Sequence, residues 1–296
     1  MAHLKIATFN CAGLSVTTRR KAIFDYLPKL DAQIICLQET HSTALDEHKW
    51  AVEWGNPYAL FHSNKTNDRS NGVAFLINYP DISLTNWHGD QHGRVVTADF
   101  KASLRKLHIT NIYAPQSGYS KRERTLFFDS LYSYVHSPHP TILAGDFNCV
   151  ENPALDRNPP ANRQDFTTPL RELRETLGLQ DTLRAAYGDV RLFTRRHANV
   201  QSRIDRFYAC SKITPLSEQA LPGLASDHDI VVIETNTVIT PKHGKGRWKN
   251  NTAIYNDQTF QTRFQHQWEQ WCTLQPYFFH TKTDWWSQTK TRIQRD

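Results

Sequence analysis

Polar side chains suited to acid–base and metal chemistry stand at the ends of six strand-like segments of this chain. In chain order they are Asn10, Glu39, Tyr113, Asp146, Asn148, Asp205, Asp227 and His228. Taken singly, each is compatible with an ordinary turn, a helix start or a half-buried strand residue. Because all of them fall at strand ends, we expect adjacent strands to bring them to one pocket.

The residue types in this set suit the hydrolysis of a phosphodiester. Glu39, with the amide of Asn10 beside it, offers the hard oxygen ligands that Mg²⁺ prefers, and such an ion completes its shell with water and phosphate. An imidazole such as that of His228 can accept a proton from water near neutral pH. Its neighbour Asp227 is expected to fix the imidazole tautomer and to stabilise the resulting cation.

The remaining residues of the set suit positions around the phosphate. Asp146 can either orient the attacking water or protonate the leaving oxygen. Asn148 is a neutral donor, so it can bind a phosphoryl oxygen without repelling it. Tyr113 can donate a hydrogen bond to the charge that develops in the transition state.

Short segments rich in β-branched and aromatic residues must position this set. Strands are predicted over residues 4–9, 33–37, 73–77, 95–100, 107–113, 141–144, 204–208 and 230–233. Helical spacing predicts helices over residues 22–30 and 120–135, and over 168–177 with Thr168 as N-cap and Gly178 as the stop. Several strands follow one another without a helix across residues 58–113. We therefore expect hairpins and an α/β or α+β sandwich.

Charge and composition change near residue 236. The net charge is +6, but residues 1–236 hold 26 Lys or Arg against 25 Asp or Glu, whereas residues 237–296 hold nine against four. Five of the eight tryptophans follow residue 236, and residues 237–246 have the Pro and Gly content of a connector. We predict a body over residues 1–236 and a basic, Trp-rich segment over 237–296 that suits a polyanion.

The overall composition bounds the class of protein. A chain of 296 residues with 39% apolar residues can build a sizeable core. No stretch approaches the roughly 18 apolar residues of a membrane span, and the first residues lack a signal-peptide pattern, so no membrane partner is expected. Five scattered cysteines without Cys-x-x-Cys spacing argue against a disulfide framework or zinc knuckle. We expect an intracellular protein in a reducing compartment.

Six short motifs, in this order, resemble the motif set of the endonuclease/exonuclease/phosphatase superfamily, which includes deoxyribonuclease I, exonuclease III and the apurinic endonucleases. The motifs are Thr8-Phe9-Asn10, Leu37-Gln38-Glu39-Thr40, Asn111-Ile112-Tyr113-Ala114-Pro115, Gly145-Asp146-Phe147-Asn148, Arg203-Ile204-Asp205 and Ser226-Asp227-His228. The resemblance covers residues 4–235. It implies a four-layer, deoxyribonuclease I-like sandwich of two mixed β-sheets flanked by helices.

The resemblance also implies a role for each residue of the set. Glu39 is the implied main metal ligand with Asn10 beside it, Asp205 supports the site, and Asp227 pairs with His228 as the base. The implied surroundings of the phosphate are Asp146, Asn148 and Tyr113. The implied ligands of Mg²⁺, which Mn²⁺ can replace, are Glu39, Asn10, Asp146, Asn148, Asp227 and His228.

Contacts to double-stranded DNA are expected from the later motifs. Thr194, in a Phe-Thr element before the Arg203-Ile204-Asp205 motif, and Ser226 are implied DNA contacts. Arg195 and Arg196 lie between two strand-like segments, residues 191–194 and 203–208, so we predict a hairpin tip that carries cations into a minor groove. An ordinary basic loop is the alternative.

The basic segment is similar to the region after the apurinic-endonuclease-like domain of non-LTR (LINE-type) retrotransposon proteins. The similarity rests on Arg247-Trp248-Lys249-Asn250-Asn251 and on Asp257, Phe260, Trp285, Trp286, Lys290 and Ile293. In those proteins a reverse transcriptase follows, and we expect this chain to be the nuclease with the start of the linker. The resemblance implies a nuclear enzyme that nicks target DNA and leaves a 3′-hydroxyl for target-primed reverse transcription. RNA and a reverse transcriptase domain would be partners in the full-length protein.

Other functions keep the six motifs and stay open as alternatives. A repair endonuclease for apurinic or apyrimidinic sites would leave the Trp-rich segment without a purpose. Phosphatases that act on inositol phosphates or lipids carry a Trp-Thr-Asp-Arg element, whereas the corresponding strand here begins Ser202-Arg203-Ile204-Asp205. An inactive DNA-binding module ranks lowest, because every candidate catalytic side chain is present. The tryptophans of the segment either stack on bases or form a small helical core that includes Trp268 and Trp271.

Overall fold

The computed structural model describes residues 2–55, 58–66, 68–102, 105–116, 118–160, 167–239, 256–278 and 281–293. The chain divides into two compact units, Met1–Lys242 and His243–Asp296. The predicted connector, residues 237–246, lies mostly outside the described residues, as does the Trp-Lys-x-Asn-Asn pattern at 248–251.

The strands of the first unit are short, as the sequence predicts. They are β1 (Ala2–Asn10), β2 (Ile34–Gln38), β3 (Ala59–His62), β4 (Val73–Ile77), β5 (Ile82–Gly89), β6 (Val95–Ala102), β7 (Arg105–Tyr113), β8 (Thr141–Asp146), β9 (Arg157–Asn158), β10 (Leu179–Asp181), β11 (Arg195–His197), β12 (Val200–Ser202), β13 (Asp205–Cys210), β14 (Pro215–Leu221) and β15 (Ile230–Ile239). All eight predicted strands are present. The last continues three residues past position 236, the predicted end of the body.

The helices of the first unit lie between its strands in chain order. They are α1 (Thr17–Tyr26), extended by a 3₁₀ turn (Leu27–Leu30), α2 (Ala44–Trp54), α3 (Lys121–Ser130), α4 (Tyr132–Val135), α5 (Thr168–Leu177) and α6 (Thr182–Tyr187). A capping box between Ser120 and Glu123 starts α3 as predicted. The N-cap of α5 is Thr167, one residue before the predicted Thr168, and Gly178 ends the helix in a left-handed conformation.

Two six-stranded sheets form the middle of the unit. Their strand orders are β14-β15-β1-β2-β4-β3 and β10-β13-β8-β7-β6-β5. Both sheets are mixed, because β1 with β2 and β7 with β8 are parallel pairs among antiparallel ones. A third, small sheet has the order β11-β12-β9.

Three apolar clusters show how the layers stack. The central cluster joins the facing sides of the sheets through residues such as Ile6, Phe75 and Phe100. A second cluster packs α1 and α2 on the first sheet, with Trp50 fully buried. A third packs α3 and α5 on the second sheet around Phe128. The arrangement confirms the predicted four-layer sandwich of two mixed sheets with helices outside.

The second unit contains a pair of helices. They are α7 (Gln258–Phe278) and α8 (Lys282–Ile293). Trp268 lies 5.6 Å, between ring centroids, from Trp285, and Trp285 Nε1 donates to the carbonyl of Trp271, which is buried. Trp268, Trp271 and Trp285 therefore form a small helical core, one of the two predicted alternatives. In the described part of the chain, no helix has the length and hydropathy of a membrane span.

Candidate active site

Strand pairing brings the predicted residues to one edge of the sandwich. The parallel strands β1 and β2 end together, with Asn10 opposite Gln38, so Glu39 leaves the sheet beside Asn10. In the second sheet Tyr113 is opposite Asp146 across β7 and β8, and Asp146 is opposite Asp205 across β8 and β13. The two sheets thus present their polar ends at the same rim.

The buried amide of Asn10 links two carboxylates, one from each sheet. Its Nδ2 donates to Oε1 of Glu39 and to Oδ2 of Asp146, both at 2.9 Å. Its Oδ1 accepts a hydrogen bond from the backbone N–H of Ala12 at 3.1 Å. All polar atoms of the amide are engaged, so Asn10 orients Glu39 and Asp146 in this arrangement.

Glu39 is ionised and accessible. Burial alone would raise its pKa, but hydrogen bonds with His41, Asn10 and Tyr113 outweigh burial and lower the pKa to about 2. The side chain is 19% exposed. Burial, and next the negative charge of Glu39, raise the pKa of Tyr113 above its ordinary value, so this phenol remains a donor.

Asp146 is buried and carries a raised pKa. The largest cause is burial, followed by the negative charge of Asp205 on the neighbouring strand. Its Oδ1 accepts from the backbone N–H of Asn148 at 2.8 Å. Gly145 just before it has φ of +135°, and a Cβ there would lie 2.0 Å from the carbonyl oxygen of Ile112, so only glycine fits this close approach of β7 and β8.

His228 is paired with Asp205, and not with Asp227 as predicted. Its Nδ1 lies 2.9 Å from Oδ2 of Asp205, whereas its Nε2 lies 3.9 Å from Oδ1 of Asp227. Because a carboxylate only accepts hydrogen bonds, Nδ1 carries the proton and Nε2 is left to accept one. Burial lowers the pKa of His228, but the charges of Asp205, Asp146 and Asp227 outweigh it and raise the pKa to about 9.

Thr194 supports Asp205 instead of facing DNA as predicted. It is fully buried, and its hydroxyl donates to Oδ2 of Asp205 at 2.7 Å. The same hydroxyl accepts from the backbone N–H groups of Ile204 and Asp205, both at 3.1 Å. This bonding fixes the carboxylate that holds His228.

The predicted basic hairpin is present with a shifted register. The hairpin is formed by β11 and β12, and not by the predicted segments 191–194 and 203–208. Arg195 and Arg196 therefore lie within strand β11, and the turn follows at residues 198–199. Nε of Arg195 donates to Asp227 at 2.9 Å, and Arg196 pairs with Asp229. Both arginine side chains are at least a third exposed.

Several predicted metal ligands have other partners. Asn148 donates through Nδ2 to the carbonyl of Ala114 at 2.8 Å, Asp227 accepts from Arg195, and His228 is held by Asp205. Each of these bonds orients one of the predicted ligands, and the set of metal ligands stays a prediction. Ligand atoms of Asp146, Asp205 and His228 lie within 4.8 Å of one another.

The site suits a divalent cation on the chemistry of its donors. Glu39 is an ionised, accessible oxygen donor, and the pKa of Asp146 is raised first by burial and then by the negative charge of Asp205. A hard dication with water ligands would relieve this charge. The residues therefore fit the expected Mg²⁺ at Glu39, beside Asn10 and Asp146.

Three site residues were not predicted. His41 Nε2 lies 3.4 Å from Oε2 of Glu39, and Gln116 donates to the Tyr113 hydroxyl at 2.7 Å. Arg94 donates to the Tyr113 carbonyl at 3.2 Å and lies 5.0 Å from the ring centroid of Tyr113. His41 and Gln116 adjoin predicted motifs, which is a usable signal. Arg94 has no local sequence signal.

Comparisons with known proteins agree with this geometry. The sequence model of the Endonuclease/Exonuclease/phosphatase family matches residues 7–228. The chain is 31% identical to the Transposon TX1 uncharacterized 149 kDa protein of Xenopus laevis over 98% of its own length, and spans 22% of that relative. It is 27% identical to an exodeoxyribonuclease of Bacillus subtilis, over 76% of this chain and 96% of the relative. The crystal structure of an AP endonuclease from Leishmania major matches 80% of this chain and 89% of its own, with a TM-score of 0.65 and 18% identity.

Proposed function

The chain belongs to the endonuclease/exonuclease/phosphatase family, and we propose that it is a metal-dependent endonuclease that nicks double-stranded DNA and leaves a 3′-hydroxyl. The observation that carries the proposal is the pairing of His228 with Asp205 beside the buried carboxylate of Asp146. A proton acceptor and an acidic group at one rim are the parts that phosphodiester hydrolysis needs.

The proposed mechanism assigns proton transfer to the histidine. Nε2 of His228 accepts a proton from the attacking water, while Asp205 holds Nδ1–H and stabilises the imidazolium that forms. Asp146, whose pKa is raised, supplies the proton to the leaving oxygen. Tyr113 donates a hydrogen bond to the phosphoryl group, and the second N–H of the Asn148 amide does the same.

The expected metal is Mg²⁺, and we expect the enzyme to be active with Mn²⁺ in its place. Glu39 would hold the ion, with Asn10 fixing the direction of the Glu39 carboxylate. When bound, a divalent cation neutralises charge on the phosphoryl oxygens. Asp146 and the amide of Asn10 border the same position.

We further propose that the nick serves target-primed reverse transcription by a non-LTR retrotransposon. The similarity to the transposon protein supports this because it extends over 98% of the chain, including the Trp-rich segment. The chain spans about a fifth of that relative. A full-length protein of similar size would have room for a reverse transcriptase domain, which would bind RNA. Such a protein would act in the nucleus.

An apurinic/apyrimidinic repair endonuclease is the second candidate. The similarity to the DNA repair nuclease APEX1 of Danio rerio favours it, with 26% identity over 75% of this chain and 76% of that relative. A phosphatase acting on inositol phosphates or lipids is a third outcome for the same site.

A substrate panel tests these functions. The full chain with Mg²⁺ is assayed on an intact duplex, the same duplex with one abasic site, and a soluble inositol phosphate. Cleavage of the intact duplex at a rate comparable to the abasic one supports the proposal. Cleavage confined to the abasic duplex supports repair, and phosphate release from the inositol phosphate alone contradicts a nuclease.

A further inference from the structure

Two turns at the rim of the site are tied together by three hydrogen bonds. The Oγ of Ser226 donates to the carbonyl of Asn10 at 2.8 Å. Nη2 of Arg19 donates to the carbonyls of Cys11 at 2.6 Å and Ala225 at 2.5 Å. Arg19, on α1, therefore bridges Cys11 to Ala225, which lies 206 residues beyond Arg19 in the chain. We call these two arginine bonds the Arg19 clamp.

Both bridged turns contain a non-glycine residue in the left-handed region. Ala12 has φ of +48° and Ala225 has φ of +57°. Such backbone conformations are costly for residues with a Cβ and persist where surrounding contacts fix them. The Arg19 clamp provides such contacts. It binds the carbonyl of Cys11, which directly precedes Ala12, and the carbonyl of Ala225.

The clamp connects the two halves of the catalytic machinery. On one side, Asn10 directs Glu39 and Asp146 through its Nδ2. On the other side, the backbone N–H of His228 donates to Oγ of Ser226 at 3.2 Å. We propose that Arg19 is a positioning residue that sets the distance between the Asn10 side of the site and His228. The inference rests on the proposed nuclease function.

The neighbours of Arg19 on α1 have different surroundings. Arg20 is buried, donates to the carbonyl of Leu14 at 2.8 Å and pairs with Glu53 at 2.8 Å, so it belongs to the fold. Lys21 is exposed. Lys21→Met therefore removes the same charge from the same helix without touching either turn, and it is the matched control for Arg19→Met.

The test compares Arg19→Met, Arg19→Lys, Ser226→Ala and Lys21→Met with the wild-type chain and with Asp146→Ala. Single-turnover cleavage at saturating enzyme separates the chemical rate from the Kd for DNA. Hydrogen–deuterium exchange of residues 10–14 and 222–229 reports the order of the turns without requiring activity. Ser226→Ala breaks the parallel bond between the turns, and Arg19→Lys stands in if Arg19→Met fails to fold.

Arg19→Met is expected to slow cleavage about 10- to 100-fold with unchanged Kd, as displacements of about 1 Å do in active sites. Exchange should increase in both segments, Arg19→Lys should recover part of the rate, and Lys21→Met should match the wild type. A weaker Kd and a shallower salt dependence with an unchanged rate would identify a phosphate contact and overturn the proposal.

Unchanged exchange in Arg19→Met, or in Arg19→Lys where Arg19→Met does not fold, would overturn it too. If the wild type does not cleave DNA, the proposed function fails, and the exchange data alone decide whether the clamp orders the turns.

Discussion

Replacing Asp205 by Asn tests the assignment of this residue as the partner of His228. The substitution keeps the shape of the side chain and removes its charge. In the wild type, Asp205 is the largest of the contributions that raise the His228 pKa from 6.5 to about 9. Without that charge, the imidazolium loses its main stabilisation, and the His228 pKa is expected to fall to near 6.5.

The size of the effect follows from this shift. A difference of about 2.5 pKa units corresponds to about 3 kcal/mol of stabilisation of the imidazolium over the imidazole. In the proposed mechanism the transition state contains that imidazolium, so losing its stabilisation is expected to lower the limiting rate by about 10²- to 10³-fold, within the range of general-base catalysis. The imidazole must be neutral to accept a proton. Asp146 must also be protonated to supply the leaving-group proton, so the wild-type rate should pass through a maximum between about pH 7 and 9. The maximum of Asp205→Asn should lie at lower pH.

Single-turnover nicking between about pH 5.5 and 10, at saturating protein and Mg²⁺, measures both quantities. The limiting rates are compared at the pH optimum of each protein. The Kd for DNA should be unchanged, since most affinity comes from phosphate contacts elsewhere. Equal limiting rates, or a pH optimum that does not move, would refute the pairing of Asp205 with His228.

Three further predictions concern the metal and the fold. Glu39→Gln removes the ionised oxygen donor and should raise the Mg²⁺ concentration for half-maximal activity at least about tenfold, measured by metal titration; an unchanged midpoint would place the metal elsewhere. Asn111 Nδ2 donates to the carbonyls of Leu37 and Ala74 at 2.9 Å, so Asn111→Ala should lower the free energy of unfolding by about 3 kcal/mol in urea denaturation; a loss under about 1 kcal/mol would contradict this reasoning. Burial raises the pKa of Glu218 from 4.5 to about 7; its contribution to stability is therefore full below about pH 4.5 and is lost as pH rises through 7. Glu218→Gln should remove up to about 3 kcal/mol of that pH dependence, and parallel pH–stability curves for the two proteins would argue against it.

Strands buried on both faces could be predicted from the sequence, and exposed edge strands could not. All five residues of β2 and of β4 are buried, so each appears as a continuous apolar run. Strand β5 is an edge strand whose residues are mostly exposed, and its sequence lacks the alternation that would mark it. Its polar composition is typical of sheet edges.

The residues of the site could be predicted, but their pairings could not. Asp227 adjoins His228 in the chain, so sequence alone favours Asp227 as the partner of the imidazole. Asp205, 23 residues away, holds the imidazole instead, because Asp205 is the first residue of β13 and this strand begins beside His228. The roles of Thr194 and Arg19 depend on the same kind of long-range contact. Strand-end motifs identify which side chains reach the rim, whereas hydrogen-bond partners are set by packing.

The central claim is that this site nicks DNA. The most direct measurement incubates supercoiled plasmid with Mg²⁺ and the wild-type chain or Asp146→Ala, and then maps the ends of the product. We expect open-circular DNA with polymerase-extendable 3′-hydroxyl ends for the wild type and intact plasmid for the equally folded variant. Intact plasmid after incubation with folded wild type in Mg²⁺ or Mn²⁺, or equal nicking by Asp146→Ala, would contradict it.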